Sequence, residues 1–230
     1  MHSERPAGGK VVSDRPAASD LFSGMFQIGG PERETMATSI DELKDMAMKL
    51  RKDGLNMQQI ADEMSLSQAT VEWFLSTSAA STEDRPSDVR IGWRSLGVRP
   101  HRVEAVGSIF ADIVLEETNG DIDTIVGISL NGISFAQAIA GQLDCEMSIY
   151  RNVEGEAGAG HLSDKFGRVA GKRVVVIDDV LSTGKTMGMA ISHLREAGAD
   201  IALLLVLVNK TTRDELEGLP LRGIIRAVTV

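Results

Sequence analysis

The chain has 230 residues, a formal net charge of −9 and 43% hydrophobic residues. That length allows one or two domains with a real core. The acidic balance excludes a basic nucleic-acid coat, so any DNA contact must be local and geometrically placed. Cys145 is the single cysteine, which excludes an internal disulfide, and His2, His101, His161 and His193 are scattered. No metal cage is expected from such spacing. The longest apolar stretch, Ile201 to Val208, is far short of a membrane span. The N-terminus lacks an apolar secretory core. The expectation is a soluble, cytoplasmic protein that does not touch a membrane.

Residues 1–37 hold Pro6, Pro16, Pro31 and two Gly-Gly pairs without a sustained period. They are expected to form a disordered leader, with Met36 a candidate for the true start. Residues 38–80 read as a head of three short helices. Ser39 and Glu42 make a capping-box pattern, and Leu43, Met46, Ala47 and Leu50 follow at helical spacing until Gly54. Asn56 can cap a second helix bearing Ile60, Ala61 and Met64. Ser65 and Leu66 make a short turn, and Ser67 caps a third helix through Val71, Phe74 and Leu75.

Residues 81–101, with Ser, Pro and Gly, read as a linker. From 102 to 230 the pattern turns to an amphipathic helix (102–118) and then alternating strands and helices. Strands are expected at 123–129, 146–151, 173–177, 201–208 and 223–230, with helices at 132–142 and 184–197. Gly155, Gly158, Gly160 and Gly167 make 152–170 read as a mobile loop. Alternation of this kind predicts an α/β fold: a parallel sheet with helices on both faces, preceded by a small all-α domain.

The strongest chemical signal runs from Val174 to Thr186. Four β-branched apolar residues predict a buried central strand. Asp178 and Asp179 then stand at its carboxyl end, and Ser182-Thr183-Gly184-Lys185-Thr186 turns into a helix. Ligands of open α/β sheets bind outside the carboxyl ends of strands. A helix N-terminus there offers unpaired amides and partial positive charge. Thr183 and Thr186 add hydroxyls, and Gly184 lets backbone approach an anion, so the turn suits one phosphate. Like charges repel, so the two aspartates suit sugar hydroxyls or a divalent cation such as Mg2+ bridging to the sugar. Gly184-Lys185-Thr186 imitates the end of a P-loop, but a P-loop needs glycine where this chain has Asp179. The rival reading is an ordinary αβ turn with a capping Thr and two surface acids.

This segment resembles the phosphoribosyl-pyrophosphate motif of the type I phosphoribosyltransferases. The resemblance implies that Asp178 and Asp179 face ribose hydroxyls and that residues 182–186 hold a 5′-phosphate. It also implies that Ser129-Leu130-Asn131-Gly132 forms the pyrophosphate loop. The orotate enzymes of this class carry a mobile loop of pattern Arg-Lys-x-x-Lys-x-His-Gly, whose cations stabilise the leaving pyrophosphate. The matching stretch, Arg151 to Gly158, keeps Arg151 and Gly158. It has Asn152 and Gly155 for the lysines, Ala157 for the histidine, and adds Glu154 and Glu156. Arg151 is retained as a ligand contact, while no catalytic residue is assigned. The loop argues against an orotate-type enzyme. Other enzymes of this class lack the loop, so transfer to another base stays open.

Residues 55–75 have the spacing of a helix-turn-helix, whose second helix would enter the major groove. Gln68, Ala69 and Glu72 are its base-reading candidates, and Ser67 and Thr70 its phosphate contacts. Trp73 is read as core. Residues 36–80 hold four Lys/Arg against seven Asp/Glu, so one head alone should bind DNA weakly. Arg90, Arg94, Arg99 and Arg102 form a basic cluster behind it, and a homodimer would present two heads. The alternative is a head that only packs or joins subunits. The two parts in this order resemble the archaeal orotate phosphoribosyltransferase-like regulators of sugar catabolism, the GfcR family, over residues 38–230. The resemblance implies a DNA-binding transcription regulator of central sugar metabolism whose sheet domain binds a phosphorylated sugar such as phosphoribosyl pyrophosphate. The alternative it leaves is an orotate- or purine-type phosphoribosyltransferase of nucleotide synthesis or salvage.

Overall fold

The computed structural model describes residues 39–76, 86, 88–152 and 160–228. The expected leader (1–37) and residues 153–159 of the expected loop 152–170 therefore lie outside the described residues, while the rest of that loop is described and includes a strand at Gly160–Leu162. No described helix is long and apolar enough to cross a membrane.

Three helices open the described chain: α1 (Ile40–Lys52), α2 (Met57–Met64) and α3 (Gln68–Leu75). Each starts at the expected cap. Ser39 and Glu42 exchange hydrogen bonds at 3.1 and 3.2 Å. Asn56 does the same with Gln59 at 2.8 and 3.0 Å, a second capping box that the sequence reading missed. Ser65 closes α2 in the left-handed region, so the chain turns within two residues to Ser67, which caps α3. Leu43, Ala47, Ile60, Ala61, Met64, Leu66, Val71 and Phe74 form the core of the head. Trp73 packs at its edge, tilted against Phe74 and covered by the Lys44 ammonium.

The expected linker is structured at its end. Ile91, Trp93 and Leu96 pack on the core of the sheet, and a short α4 (Arg94–Gly97) precedes α5 (Pro100–Thr118). Apolar burial outweighs the polar composition there. Then follow β1 (Thr124–Ile128), α6 (Gly132–Leu143), β2 (Glu146–Asn152), β3 (Gly160–Leu162), β4 (Arg173–Leu181) and α7 (Lys185–Glu196). The chain ends with β5 (Asp200–Asn209), β6 (Glu215–Leu216) and β7 (Leu219–Arg226). The sheet order is β3-β2-β1-β4-β5-β7-β6, with the five central strands parallel and the two short edge strands antiparallel.

Alternate residues of the central strands face opposite layers, as the pleat requires. Val174, Val176, Leu204 and Val206 pack against Met187, Ala190, Ile191 and Leu194 of α7. Val175, Ile177, Leu203 and Leu205 pack against α5 and α6 through Phe110, Val114, Phe135 and Ile139. The helices on that second face nearly touch: a Cβ on Gly107 of α5 would lie 2.5 Å from Ala138 Cβ of α6.

Two boundaries differ from expectation. β4 continues through Asp178 and Asp179 to Leu181, because Asp178, Val180 and Leu181 keep pairing with Val206, Val208 and Asn209 of β5. The last strand is Leu219–Arg226, not 223–230. Glu217 and Gly218, both at positive φ, fold a tight hairpin between β6 and β7.

Candidate functional site

The carboxyl ends of β1 and β4 and the start of α7 converge on a cleft of about 440 Å³. Ser129, Leu130 and Asn131 line it from the β1–α6 turn, and Asp178 and Asp179 from β4. Residues 182–186 line it from the turn into α7. The Ser129–Leu130 peptide is cis, and Leu130 is exposed. Gly132 lies just behind the wall. A Cβ there would lie 2.4 Å from the Ile177 carbonyl oxygen, so only glycine lets α6 start this close to β4.

Gly184 occupies the N-cap position of α7 at φ +84°, and it brings no side chain to the helix end. Thr183 Oγ1 accepts a long 3.3 Å hydrogen bond from the Lys185 amide. No other side chain among the described residues caps this end. The first-turn amides therefore point partial positive charge into the cleft with room for an anion.

The acid pair sits opposite. Burial first, and the neighbouring Asp179 second, hold the Asp178 carboxyl well above the usual carboxylate range; the charge of Asp62 adds to this. Burial also pushes Asp179 up, against hydrogen bonds that include one from Asn131 Nδ2 at 2.9 Å. The Asp179 amide donates to Asp178 Oδ1 at 2.9 Å. Two half-buried carboxyls that resist joint ionisation suit either hydroxyl donors or a divalent cation that restores charge balance. Both oxygen sets are of the hard type that Mg2+ prefers. Among the described residues no group of three or more His, Cys, Asp or Glu could hold a metal alone, so a cation here would need oxygens from a ligand.

Three expected site residues stand elsewhere. Arg151 is exposed on β2 and does not line the cleft; its neighbour Asn152 does, because successive strand residues face opposite sides. Thr70, expected at DNA phosphate, is fully buried, and its hydroxyl donates to Asp88 at 2.9 Å. Arg90, expected in a basic cluster, turns inward, and its Nε donates to the Met64 carbonyl at 3.2 Å.

The cleft also holds residues that sequence reasoning missed. Lys210, just past β5, lines it and pairs with Asp88 at 2.6 Å, with both side chains only 5% exposed. Its place beyond the carboxyl end of a parallel strand was the available signal. Gln58 and Asp62 of the head line the opposite wall, together with Gln68, Ala69 and Glu72, which were expected at DNA bases. Nothing local in the sequence points to that.

Residues 92–223 match the family described as the phosphoribosyl transferase domain, beginning ahead of the expected boundary at 102. Over 195 residues the chain is 38% identical to a Thermoplasma acidophilum protein named transcriptional regulator GfcR, covering 84% of this chain and 98% of that one. It is 35% identical over 199 residues to transcriptional regulator GfcR 1 of Methanosarcina barkeri, covering 83% and 98%. The crystal structure of orotate phosphoribosyltransferase from Aeropyrum pernix superposes with a TM-score of 0.50 at 23% identity, covering 79% of this chain and 93% of that one. That last likeness speaks for the fold alone.

Proposed function

Because the chain belongs to the GfcR family of transcriptional regulators and its sheet is a phosphoribosyl transferase domain, we propose that it regulates genes of central sugar metabolism by binding DNA through its helical head. The sheet domain binds a phosphorylated sugar, of which phosphoribosyl pyrophosphate is one candidate. Mg2+ enters with that ligand. The observation that carries this reading is the anion cradle at α7: first-turn amides and Thr186 face a cleft whose other side presents Asp178 and Asp179. The amides suit a phosphoryl group and the acids suit hydroxyls on the same molecule.

The head supports the DNA part of the proposal through its geometry. α2 and α3 are joined by the three residues Ser65, Leu66 and Ser67; Ser67 caps α3, and Gln68, Ala69 and Glu72 lie in its first turns. A homodimer would place two such heads on one duplex and offset the acidity of each. Ligand that binds two head arrangements unequally shifts their populations, which is all that regulation needs.

Calorimetric titration of the full chain with ribose 5-phosphate and with phosphoribosyl pyrophosphate, with and without Mg2+, tests the ligand. Saturable binding that Thr186→Ala weakens by about tenfold is expected, the loss of one charge-assisted hydrogen bond. Absence of binding in every condition overturns the reading. Turnover of phosphoribosyl pyrophosphate with orotate or a purine would replace it with the enzyme.

A further inference from the structure

The face of α3 that the helix-turn-helix reading gives to DNA is turned toward the ligand cleft. Gln68, Ala69 and Glu72 line the same cavity as Asp178, Asp179 and the 182–186 turn. Behind them a chain of polar side chains crosses the head: Gln68 donates to Gln58, and Gln58 donates to Asp62 at 2.6 Å. The head is tied down in this position by a buried ion pair. Asp88 accepts from the Ser67 amide at 2.7 Å and the Thr70 hydroxyl at 2.9 Å, so it anchors the start of α3. Its other oxygen holds Lys210 at 2.6 Å. The Lys210 side chain is only 5% exposed, and the residue lines the cleft.

The charges facing the cavity say what can fill it. Asp62 and Glu72 stand on the head side and Asp178 and Asp179 on the sheet side, against Lys185 and a Lys210 already engaged by Asp88. One phosphoryl group finds the α7 amides and Lys185. A second, farther out, would meet the acidic wall of the head unless a divalent cation came with it. Uncharged hydroxyls meet carboxamides and carboxyls that accept and donate without cost of like charge.

We infer that α2 and α3 form the second wall of the ligand site, so that Gln68 and Glu72 select a sugar monophosphate and are unavailable to DNA while it is bound. The inference rests on the proposed phosphosugar reading and adds who reads the sugar. Ligand and duplex then compete for one set of side chains, and each weakens the other by the same factor.

Calorimetry on the full chain separates the two layers. Inorganic phosphate, ribose 5-phosphate and phosphoribosyl pyrophosphate are the probes, with wild type, Thr186→Ala, Gln68→Ala and Glu72→Gln compared after circular dichroism confirms folding. If the cradle holds the phosphoryl group, Thr186→Ala weakens both probes. If the head reads the sugar, Gln68→Ala weakens ribose 5-phosphate by about 5- to 30-fold while inorganic phosphate stays within about twofold. Glu72→Gln tightens phosphoribosyl pyrophosphate without Mg2+ by about three- to tenfold, since one facing charge is gone. Loss with Thr186→Ala, but no change with either head variant, overturns this inference and leaves the cradle standing. No effect of Thr186→Ala overturns both. The DNA arm uses a duplex selected by the full chain from a random-sequence pool. Saturating ribose 5-phosphate is expected to raise its Kd at least about tenfold. An unchanged Kd, or a pool that yields no duplex, defeats the competition.

Discussion

Asp178 is a carboxyl whose burial beside Asp179 costs stability when it ionises. Its folded pKa is raised by burial and by Asp179. A carboxyl raised in this way contributes stability that is complete below its unfolded pKa and is lost as pH climbs through the folded value. The ligand-free protein therefore loses stability as pH rises from the ordinary carboxylate range through the raised folded value of this group. Asp178→Asn removes the loss and keeps an oxygen to accept from the Asp179 amide. Thermal melts should show the variant a few degrees more stable than wild type at pH 8, on the order of 1 kcal/mol, with the gap closing toward pH 4. The same variant should bind ribose 5-phosphate more weakly. A variant that melts lower than wild type at pH 8 would show that the carboxylate is stabilising after all.

Between elements, the decisive contact is Asp88 with Lys210, which joins the start of α3 to the end of β5. Burial alone would raise Asp88, but Lys210, the Ser67 amide and the Thr70 hydroxyl together hold it below the usual range. Stability from this pair is thus present above the unfolded carboxylate pKa and is lost as pH falls through the lower folded value. Lys210→Met leaves a buried carboxylate without its cation and should cost about 3–5 kcal/mol in chemical denaturation. Adding Asp88→Asn should recover much of that, because the Asn oxygen still accepts from Ser67. If the double variant is no more stable than the single one, the ion pair is not what the head depends on.

At the scale of the whole molecule, charge sets the terms of any DNA contact. The chain carries a net −9, and the four cations within 36–80 are Lys44, Lys49, Arg51 and Lys52 of α1, with Lys44 already over Trp73. Few phosphates can be neutralised by one head. Fluorescence anisotropy across salt concentrations should give a log–log slope no steeper than about −4 per head. A slope steeper than about −4 per head, or than about −8 where two heads share one duplex, would move the duplex to another surface. Sedimentation of the same samples reports whether two heads act together.

Local chemistry in the sequence determined the caps of α1, α2 and α3, the buried β4 run from Val174 to Ile177, and the acid pair followed by Gly184 at the start of α7. Each depends on residues within one turn or one strand of each other, so spacing and residue type suffice. Only the tertiary structure decided that Thr70 is buried rather than exposed, that Asn152 and not Arg151 faces the cleft, and that β4 runs on to Leu181. The same holds for the most consequential arrangement, the head lying against the cleft with Lys210 beneath it. Its contacts join Asp88 to Lys210 and bring Gln68 opposite Asp178. Residues that far apart in sequence carry no shared period or motif; burial of two surfaces against each other brings them together, and that becomes visible only once the chain has folded.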